Sequence, residues 1–327
     1  MATSVIEEKQ AVSVIIPFHN EEETLQRTLE LIEAQTFQPE EILLVDSSST
    51  DGSVDVIRRW VNAAPLTRSQ FVVIESSADT PGRARSIGAS AANSELVGFM
   101  DCGLDFSVDW LAQSTSLLNS LPDNYWVSGV CHTQGVGLLD QCAVANTYGW
   151  GAKRAALPSS LMRLSSYRRV GDFLDLRAGE DGEWIRRADT AGLVRVVDQS
   201  LVVRYFATNY AETLSDLVFK SIAYSRPMIR SGRRRAALIS AVAPLLGLAV
   251  LLVSPMTLLF SSCLYVLARV TVAARKSPRR HSFLVKPERL VMLVITGFVI
   301  DVGRSIGVCL SLLDWLSSTA KRQIPAR

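Results

Sequence analysis

The sequence lacks several motifs that would assign a nucleotide-binding or metal-binding class directly. No G-x-G-x-x-G follows the first predicted strand and no G-x-x-x-x-G-K-[ST] occurs, which excludes the dinucleotide fingerprint and the P-loop. The five cysteines form no C-x-x-C and are odd in number, so neither a disulfide framework nor a zinc site is indicated and a reducing compartment is expected. The first ten residues have no apolar core, so no signal peptide is expected.

Apolar residues are abundant and unevenly distributed. They make up 48% of the 327 residues, and the mean hydropathy of +0.20 is high for a soluble enzyme. They are concentrated toward the C-terminal end, where arginine and lysine also gather, so the formal charge of +2 conceals an asymmetry. This distribution favours a membrane surface over a nucleic-acid groove, and no nucleic-acid partner is expected.

Short β-branched segments alternate with helical patterns over the first hundred residues. The predicted strands are residues 11–17, 41–46, 71–75 and 96–101. The helix after the first strand is indicated by Asn20, a good N-cap, and by Glu23 three residues later. Strands separated by helices of about ten to fifteen residues predict a doubly wound α/β fold with a mostly parallel sheet.

Polar residues follow the carboxyl end of each predicted strand. In chain order these residues are Pro17 with His19, Asp46, Glu75 and Asp101. Ligands bind beyond these strand ends in open parallel sheets, so one shared crevice is predicted. Asp101 is followed by a second carboxylate, Asp105, and acids at such a position can hold a divalent cation against a phosphate.

Four segments carry a family resemblance, in this order: SVIIPFHNEEETL, EILLVDSSSTDGS, PGRARSIGASAA and LVGFMDCGLDF. They resemble the inverting family 2 glycosyltransferases, whose GT-A fold binds a nucleotide-sugar. The resemblance extends over residues 11–215. It implies a GT-A-type domain that uses a nucleotide-sugar donor.

The resemblance also implies roles for individual residues. The implied nucleotide-sugar-binding residues are Pro17, His19, Glu21, Asp46, Ser47, Arg85 and Asp101. Within this set His19 would pack on the base, Arg85 would face the phosphates, and Asp101 would open the DxD motif that places sugar and metal. Asp181, in AGEDGEWIRRADTAG, matches the catalytic base on the acceptor hydroxyl, and Glu180 beside it is the alternative.

The sequence departs from the family pattern at three points. The usual VDDGS reads Asp46-Ser47-Ser48-Ser49, so a serine replaces the second acid. DxD reads Asp101-Cys102-Gly103, so a Mg²⁺ or Mn²⁺ cofactor would rely on Asp101 alone, draw on Asp105, or be held weakly. The QxxRW signature of processive members is missing, which favours the addition of a single sugar.

Each of these residues also has a purely structural interpretation. His19 can be a polar loop residue, and Asp46 can cap the turn that follows it. Asp181 can be the N-cap of a helix, a role compatible with that of a base. Arg85 can be a solvated helix charge.

The composition changes after Ser225. Several arginines precede an apolar tract, residues 236–274, which is interrupted at Ser254-Pro255 and at Arg269. Each half, of about 18 residues, reaches roughly 27 Å, close to the ~30 Å of a bilayer core, so the tract predicts a helical hairpin with both basic flanks in the cytoplasm. Residues 290–313 carry a polar stripe and predict an interfacial or re-entrant helix, with a third span as the alternative.

The sequence therefore predicts a catalytic domain at residues 1–228 and membrane-anchoring helices at 229–327. The expected protein is a glycosyltransferase on the cytoplasmic membrane, facing the cytoplasm. It would move one sugar to a membrane-held, lipid-linked acceptor in glycan or polysaccharide biosynthesis, so membrane lipids are expected partners. A sugar-1-phosphate nucleotidyltransferase would need a glycine-rich phosphate loop, which is absent. A catalytically weak nucleotide-sugar-binding or scaffold protein is the alternative from another class.

Overall fold

A computed structural model describes residues 11–63, 70–205, 210–240, 255–278, 284 and 286–322. Its strands are β1 (Val12–Phe18), β2 (Glu41–Ser47), β3 (Gln70–Ser76), β4 (Leu96–Met100), β5 (Leu104–Asp105), β6 (Tyr125–His132), β7 (Lys153–Arg163) and β8 (Val194–Tyr205). Its helices are α1 (Glu22–Glu33), α2 (Ser53–Ala63), α3 (Pro81–Ala91), α4 (Trp110–Asn119), α5 (Gly137–Thr147), α6 (Leu164–Val170), α7 (Glu180–Thr190), α8 (Leu214–Ser225), α9 (Pro255–Lys276) and α10 (Pro287–Arg322).

The strands form one mixed sheet in the order β3-β2-β1-β4-β7-β6-β8-β5. The four predicted strands are confirmed as β1 to β4, and they pair in parallel. β7 then runs antiparallel to β4, β6 pairs in parallel with β8, and the two-residue β5 pairs antiparallel with the end of β8. The doubly wound arrangement therefore holds for the first half, and antiparallel pairs enter where later strands join the sheet.

Both faces of the central strands are covered by helices. Val14 of β1 belongs to a buried apolar cluster with Leu25 of α1. Its neighbour Ile15 points to the other face and belongs to a second cluster with Ala84 of α3 and Trp184 of α7. Burying an aliphatic side chain contributes about 1.5–3 kcal/mol. Burial on both faces explains why β1 and β2 are continuous apolar segments in the sequence.

The chain divides into two compact units. Unit 1 comprises residues 1–131, 155–175 and 184–207, and unit 2 comprises residues 132–154, 176–183 and 208–327. Unit 1 contains almost all of the sheet with α1 to α4 and α6. Unit 2 contains α5, α8, α9 and α10. The predicted boundary at residue 228 stays a prediction, and α5 and α8 are grouped with the C-terminal helices.

Small residues allow α8 and α10 to approach closely within unit 2. A Cβ added at Gly303 would lie 2.6 Å from the Cβ of Ser221, and one added at Gly307 would lie 2.2 Å from Ser225 Oγ. The helix α5 is fixed to α10 by the buried Asn146, whose Nδ2 donates to the Leu293 carbonyl oxygen at 2.8 Å. Close backbone contact and buried amide bonds are typical of helices that associate without a large apolar core between them.

One polar network links α9 to α10. Arg269 forms an ion pair with Asp301 and also donates to the Gly297 carbonyl oxygen at 3.0 Å. The Tyr265 hydroxyl donates to Asp301 Oδ2 at 3.0 Å. Arg269 is only 8% exposed, so it pairs between helices instead of extending to a membrane surface. Asp301 of the polar stripe thus bonds across to α9.

Within the described residues, one helix is long and apolar enough to cross a bilayer. It is Pro287–Asp314, 28 residues with a mean hydropathy of 1.8, and 39% of its apolar window is buried. It is the larger part of α10, which extends beyond the predicted 290–313. α9 coincides with the second half of the predicted hairpin, whereas residues 241–254, most of its first half, lie outside the described residues.

Candidate active site

The loops after β1 and β2 are held together by hydrogen bonds. Asn20, at the end of β1, adopts a left-handed backbone conformation with φ 56°. Its Oδ1 accepts from the Thr50 amide at 2.8 Å, and the Glu21 amide donates to Ser53 Oγ at 2.8 Å. Asparagine tolerates this conformation better than most residues because its short side chain forms such local bonds. The two loops therefore form one ordered edge beyond the sheet.

His19 and Asp46 lie on this edge, and each makes local contacts. His19 Nδ1 lies 2.8 Å from the Ser47 carbonyl oxygen, which fixes the ring and requires the proton on that nitrogen. Asp46 is 6% exposed and its Oδ1 accepts from the Ser49 amide at 3.0 Å, so it caps the turn as the structural interpretation expects. Pro17 is paired in the sheet opposite β2, and Ser47 is buried at the end of β2.

Glu21 is a partly buried carboxyl with an unusual protonation equilibrium. Burial raises the pKa of Glu21 above its usual value, and the charges of Asp101 and Asp51 raise it further. The Thr24 hydroxyl donates to Glu21 Oε2, which opposes this shift. The structure therefore places Glu21 within electrostatic reach of Asp101.

Asp101 follows β4 and is held by two donors. Arg85, 5% exposed on α3, donates from Nη2 to Asp101 Oδ1 at 2.7 Å. The Tyr205 hydroxyl donates to Asp101 Oδ2 at 2.7 Å. We call Arg85, Asp101 and Tyr205 the Asp101 cluster. Hydrogen bonds to an ionised acceptor are among the stronger ones in proteins, so each oxygen of the carboxylate is engaged by a good donor.

Tyr205 is the residue of this cluster that sequence reasoning missed. It lies at the end of β8, where Leu104 of β5 pairs with it in register. Burial of the hydroxyl and the adjacent Asp101 charge raise the pKa of Tyr205 well above its ordinary value, so it stays a neutral donor, although 43% of the whole residue is exposed. The contact joins residues 104 positions apart, and no spacing in the sequence indicates that pairing.

The helix α3 is positioned so that Arg85 reaches Asp101. Thr80 caps its N-terminus by accepting from the Arg83 amide at 3.3 Å, with proline in the first turn. Gly88 lets the helix approach β1 closely, because a Cβ there would lie 2.5 Å from Ile15 Cγ2. The charge on Arg85 is thus a buried, paired one and not a solvated helix charge.

The residues around Asp101 do not fit a tightly held divalent ion. Gly103 has φ +77°, a left-handed conformation that favours glycine at this turn over a ligand-bearing side chain. Asp105 Oδ1 accepts from Arg27 Nη2 at 2.7 Å, and both side chains are partly exposed. In the part of the chain that the structure describes, no three His, Cys, Asp or Glu side chains converge as metal ligands would. Asp101 already accepts one hydrogen bond on each oxygen, so an ion there would share the carboxylate with Arg85 and Tyr205.

Cys102, between these positions, is a packing residue. Its Sγ lies 3.5 Å from the hydroxyls of Thr24 and Thr28 on α1. Burial raises the pKa of the Cys102 thiol to about 11, so the thiolate that would bind a metal is disfavoured. The Gly103 amide donates to Thr28 Oγ1 at 3.0 Å, which anchors the turn to α1.

Glu180 and Asp181 begin α7 and belong to unit 2. Glu180 is 7% exposed, whereas Asp181 is half-buried, and its Oδ1 accepts from the Gly182 amide at 2.6 Å. The preceding Gly179, with φ +83°, lies against Ser231, where a Cβ would come 3.1 Å from the serine Cβ. A carboxylate in the first turn of a helix is stabilised by the helix dipole.

The predicted site residues thus divide between the two units. All of the predicted nucleotide-sugar and metal residues belong to unit 1, where the structure brings Glu21, Arg85 and Asp101 together and adds Tyr205. Both predicted catalytic acids belong to unit 2. Asp105 forms an ion pair with Arg27 on α1.

Comparison with known proteins finds similarity mainly in the N-terminal part of the chain. Residues 13–141 match the family described as "Glycosyl transferase family 2". Glycosyltransferase AglE of Haloferax volcanii is 29% identical over 110 residues, 33% of this chain and 35% of that protein. Validoxylamine A glucosyltransferase of Streptomyces hygroscopicus subsp. limoneus is 35% identical over 95 residues, 28% of this chain and 20% of that protein. These matches span about a third or less of each relative's length.

A solved structure extends the likeness to most of the chain at the level of the fold. The mannosyltransferase PcManGT from Pyrobaculum calidifontis, solved in complex with GDP-Man and Mn²⁺, has a TM-score of 0.54 at 18% identity, over 90% of this chain and 87% of that one. At this identity the likeness concerns the fold alone. Residues 13–141 therefore resemble the family 2 glycosyltransferases, and the chain has a GT-A-like fold.

Proposed function

We propose that the protein transfers a single sugar from a nucleotide-sugar to an acceptor hydroxyl held at a membrane, with inversion at the anomeric carbon. The observation that carries this proposal is the Asp101 cluster at the end of β4, within the family 2 domain. A buried arginine and a neutral tyrosine fix one carboxylate there, and a fixed carboxylate can orient the hydroxyls of a sugar.

The donor would be bound by unit 1. His19 and Asp46, on the ordered edge formed by the loops after β1 and β2, would contact the nucleoside. Arg85 would offset the charge that develops on the departing diphosphate, since a cation in a buried site is effective there. The predicted Mg²⁺ or Mn²⁺ would supply further charge neutralisation, and Asp101, with Asp105 after release from Arg27, would hold it. The proposal requires no step through that ion.

The base would be Asp181. It would accept the proton of the acceptor hydroxyl as that oxygen bonds to the anomeric carbon and the nucleoside diphosphate leaves from the opposite side. Half-burial leaves Asp181 accessible to an acceptor, whereas Glu180 is almost fully buried. For this reason Asp181 is the preferred base and Glu180 the alternative.

A membrane-held, lipid-linked acceptor is supported by the C-terminal helices. Large apolar side chains on α9 and α10 are exposed, among them Phe260 at 72% and Phe298 at 60%. Together with the apolar length of Pro287–Asp314, such surfaces favour contact with lipid. We place the protein on the cytoplasmic membrane, with the catalytic domain on the cytoplasmic side where the basic flanks also lie.

Asp181→Asn tests the proposal. The substitution retains the shape and an oxygen that can accept from the Gly182 amide while removing the proton acceptor, so donor binding and melting temperature should survive. Single-turnover transfer should fall by about 10² to 10⁴, the usual cost of removing a general base. The matched control is Asp189→Asn, in the last turn of the same helix. Turnover within a few-fold of wild type in Asp181→Asn would place the base elsewhere, and Glu180→Gln would be measured next.

Gly103 supports the second candidate, a nucleotide-sugar-binding protein with weak or no catalysis, because a metal-ligand position carries no side chain. Hydrolysis of nucleotide-sugars by the purified full chain separates the two. Turnover that is lost in Asp181→Asn supports the transferase. Tight donor binding without turnover in wild type supports the binding protein.

A further inference from the structure

The loop of residues 147–152 lies between the end of α9 and the start of α10. The Trp150 amide donates to Ser277 Oγ at 2.9 Å, and Lys276 Nζ donates to the Thr147 carbonyl oxygen at 3.1 Å. A Cβ at Gly149, which has φ +93°, would come 2.3 Å from the Lys276 carbonyl oxygen. The loop is therefore held tightly against the C-terminal end of α9.

Aromatic rings and cations alternate around this loop. Arg154 Cζ lies 4.1 Å from the centroid of the Tyr148 ring, and Arg289 Cζ lies 5.7 Å from that of Trp150. We call Tyr148, Trp150, Arg154, Lys276 and Arg289 the basic loop site. Cations stacked on rings are held in place while keeping their formal charge.

Positive charge is in excess at this site. The contacts described for Arg154 and Lys276 are with a ring and with carbonyl oxygens, which do not cancel a formal charge. Partial burial, followed by the positive charges of Arg304, Arg269 and Arg154, lowers the pKa of Lys276. Glu288 precedes Arg289 in the chain, and farther along α10 Asp301 is paired with Arg269. An anion bound here would relieve the mutual repulsion of these cations.

The two helices that carry part of the basic loop site, α9 and α10, also expose apolar side chains. On α9, Leu264 is 56% and Leu267 62% exposed, and on α10, Val291 is 62% exposed. Tryptophan, tyrosine, lysine and arginine at the ends of apolar helices are typical of the boundary between hydrocarbon and lipid headgroups. Basic pockets between helices at that depth bind the phosphates of lipids.

We propose that the basic loop site binds the phosphate group of a membrane lipid at the bilayer surface. The inference rests on the membrane attachment in the proposed function and adds a residue-level site to it. The cations would contact the phosphate oxygens, and Trp150 and Tyr148 would lie at the level of the headgroup. Arg154 and Arg289 are already oriented by their rings, so little side-chain freedom is lost on binding.

Trp150 provides a direct readout. The full chain is reconstituted in bilayers of neutral phosphatidylcholine with a fraction of anionic phosphatidylglycerol. Two preparations of the same composition are compared: in one the neutral lipid, and in the other the anionic lipid, carries brominated acyl chains that quench tryptophan fluorescence. The difference between wild type and Trp150→Phe isolates the quenching of Trp150 from that of the other five tryptophans. The brominated anionic lipid should quench Trp150 more strongly than the brominated neutral lipid.

The triple substitution Arg154→Gln, Lys276→Gln, Arg289→Gln should abolish the preference for the anionic lipid. Each charge removed should weaken binding of that lipid by about fivefold. The charge-conserving set Arg154→Lys, Lys276→Arg, Arg289→Lys should retain most of it. Arg58→Gln, Arg59→Gln, Arg168→Gln removes the same charge from unit 1 and should leave it unchanged.

Equal quenching of Trp150 by the two brominated lipids in wild type overturns the proposal. The proposal is also overturned if the unit 1 control variant loses the lipid preference as much as the triple variant of the site does. Displacement of the anionic lipid by millimolar inorganic phosphate also overturns it, because the ligand would then be soluble phosphate. If the lipid preference is present but transfer is absent, the proposed function fails and this site stands. If transfer is present without the preference, the site alone fails.

Discussion

Unit 1 and unit 2 are stabilised in different ways. Unit 1 buries apolar side chains on both faces of a sheet, with three tryptophans, Trp110, Trp126 and Trp184, fully buried around it. Unit 2 has small buried clusters, and its helices are joined by glycine contacts, a buried asparagine and the Arg269–Asp301 pair. Its large apolar side chains are often exposed. Unit 1 thus has a large apolar core, whereas unit 2 exposes many apolar side chains on its helices.

The candidate residues for donor binding and for proton abstraction also fall in different units. The donor-binding candidates lie on a rigid sheet edge, where burial fixes charged groups such as Arg85. The candidate base, Asp181, belongs to the unit that would contact the membrane, where a lipid-linked acceptor would be held. Four predictions test this comparison, in order of decreasing expected effect.

Asp101→Asn should have the largest effect and should be confined to unit 1. It leaves Arg85 buried without its charge partner, a change that typically costs about 3–5 kcal/mol. Tyr205→Phe removes one hydrogen bond to the carboxylate and should cost about 1.5 kcal/mol or somewhat more. Chemical denaturation followed by unit 1 tryptophan fluorescence measures both. Equal losses for the two variants would mean that Asp101 is not the centre of the cluster.

Gly307→Val should destabilise unit 2 selectively. Its side chain would collide with Ser225 Oγ and with the Ile222 carbonyl oxygen, 2.5 Å from the added Cβ. Overpacking of this kind costs about 1–3 kcal/mol, which corresponds to about 5- to 150-fold faster local opening. Hydrogen exchange should accelerate in α8 and α10 and stay unchanged in β1 to β4.

Val302→Leu, on the exposed side of α10, is the control. Equal acceleration of exchange in both units would contradict a selective effect on unit 2.

The metal response of unit 1 should be weak and should depend on Arg27. In wild type, Mn²⁺ should tighten donor binding by less than about tenfold, since an ion held by few carboxylates keeps more of its water and binds loosely. Arg27→Gln releases Asp105 and should strengthen the response, and adding Asp105→Asn should reverse that gain. Isothermal titration of the donor at several Mn²⁺ concentrations measures this. A strong response in wild type that survives Asp105→Asn would assign the ion to other ligands.

Glu21→Gln should alter the pH dependence of unit 1. The folded-state pKa of Glu21 is raised, so the stability that its protonated form contributes is present below the unfolded pKa and is lost as pH rises through the folded value. At neutral pH the variant should therefore melt slightly higher than wild type, with the difference shrinking toward pH 4. Glu22→Gln, at the first residue of α1, is the control; Glu22 accepts from the Gly52 amide. If the difference in melting temperature between Glu21→Gln and wild type does not change with pH, the charge of Asp101 does not act on Glu21.

The first half of the fold could be predicted from the sequence because its strands and helices are marked by patterns in neighbouring residues. Strands β1 to β4 are short, rich in β-branched and apolar residues, and separated by helices, so composition and spacing predicted them. Asp101 was found for the same reason, as a carboxylate at a strand end. Tyr205 was missed because its contact depends on the pairing of β5 with β8. The preference of Asp105 for Arg27 also depends on tertiary contact and has no signature in the spacing.

The order of the loops after β1 and β2 has a kinetic consequence. Asn20 and Glu21 already bond to Thr50 and Ser53, so the conformational entropy of this edge is lost when the chain folds and not when a ligand arrives. Under the proposed function, a nucleoside would meet loops that are already ordered, and its association would be limited mainly by diffusion and orientation. Differences in affinity among related donors would consequently appear as differences in residence time, with association rates nearly constant.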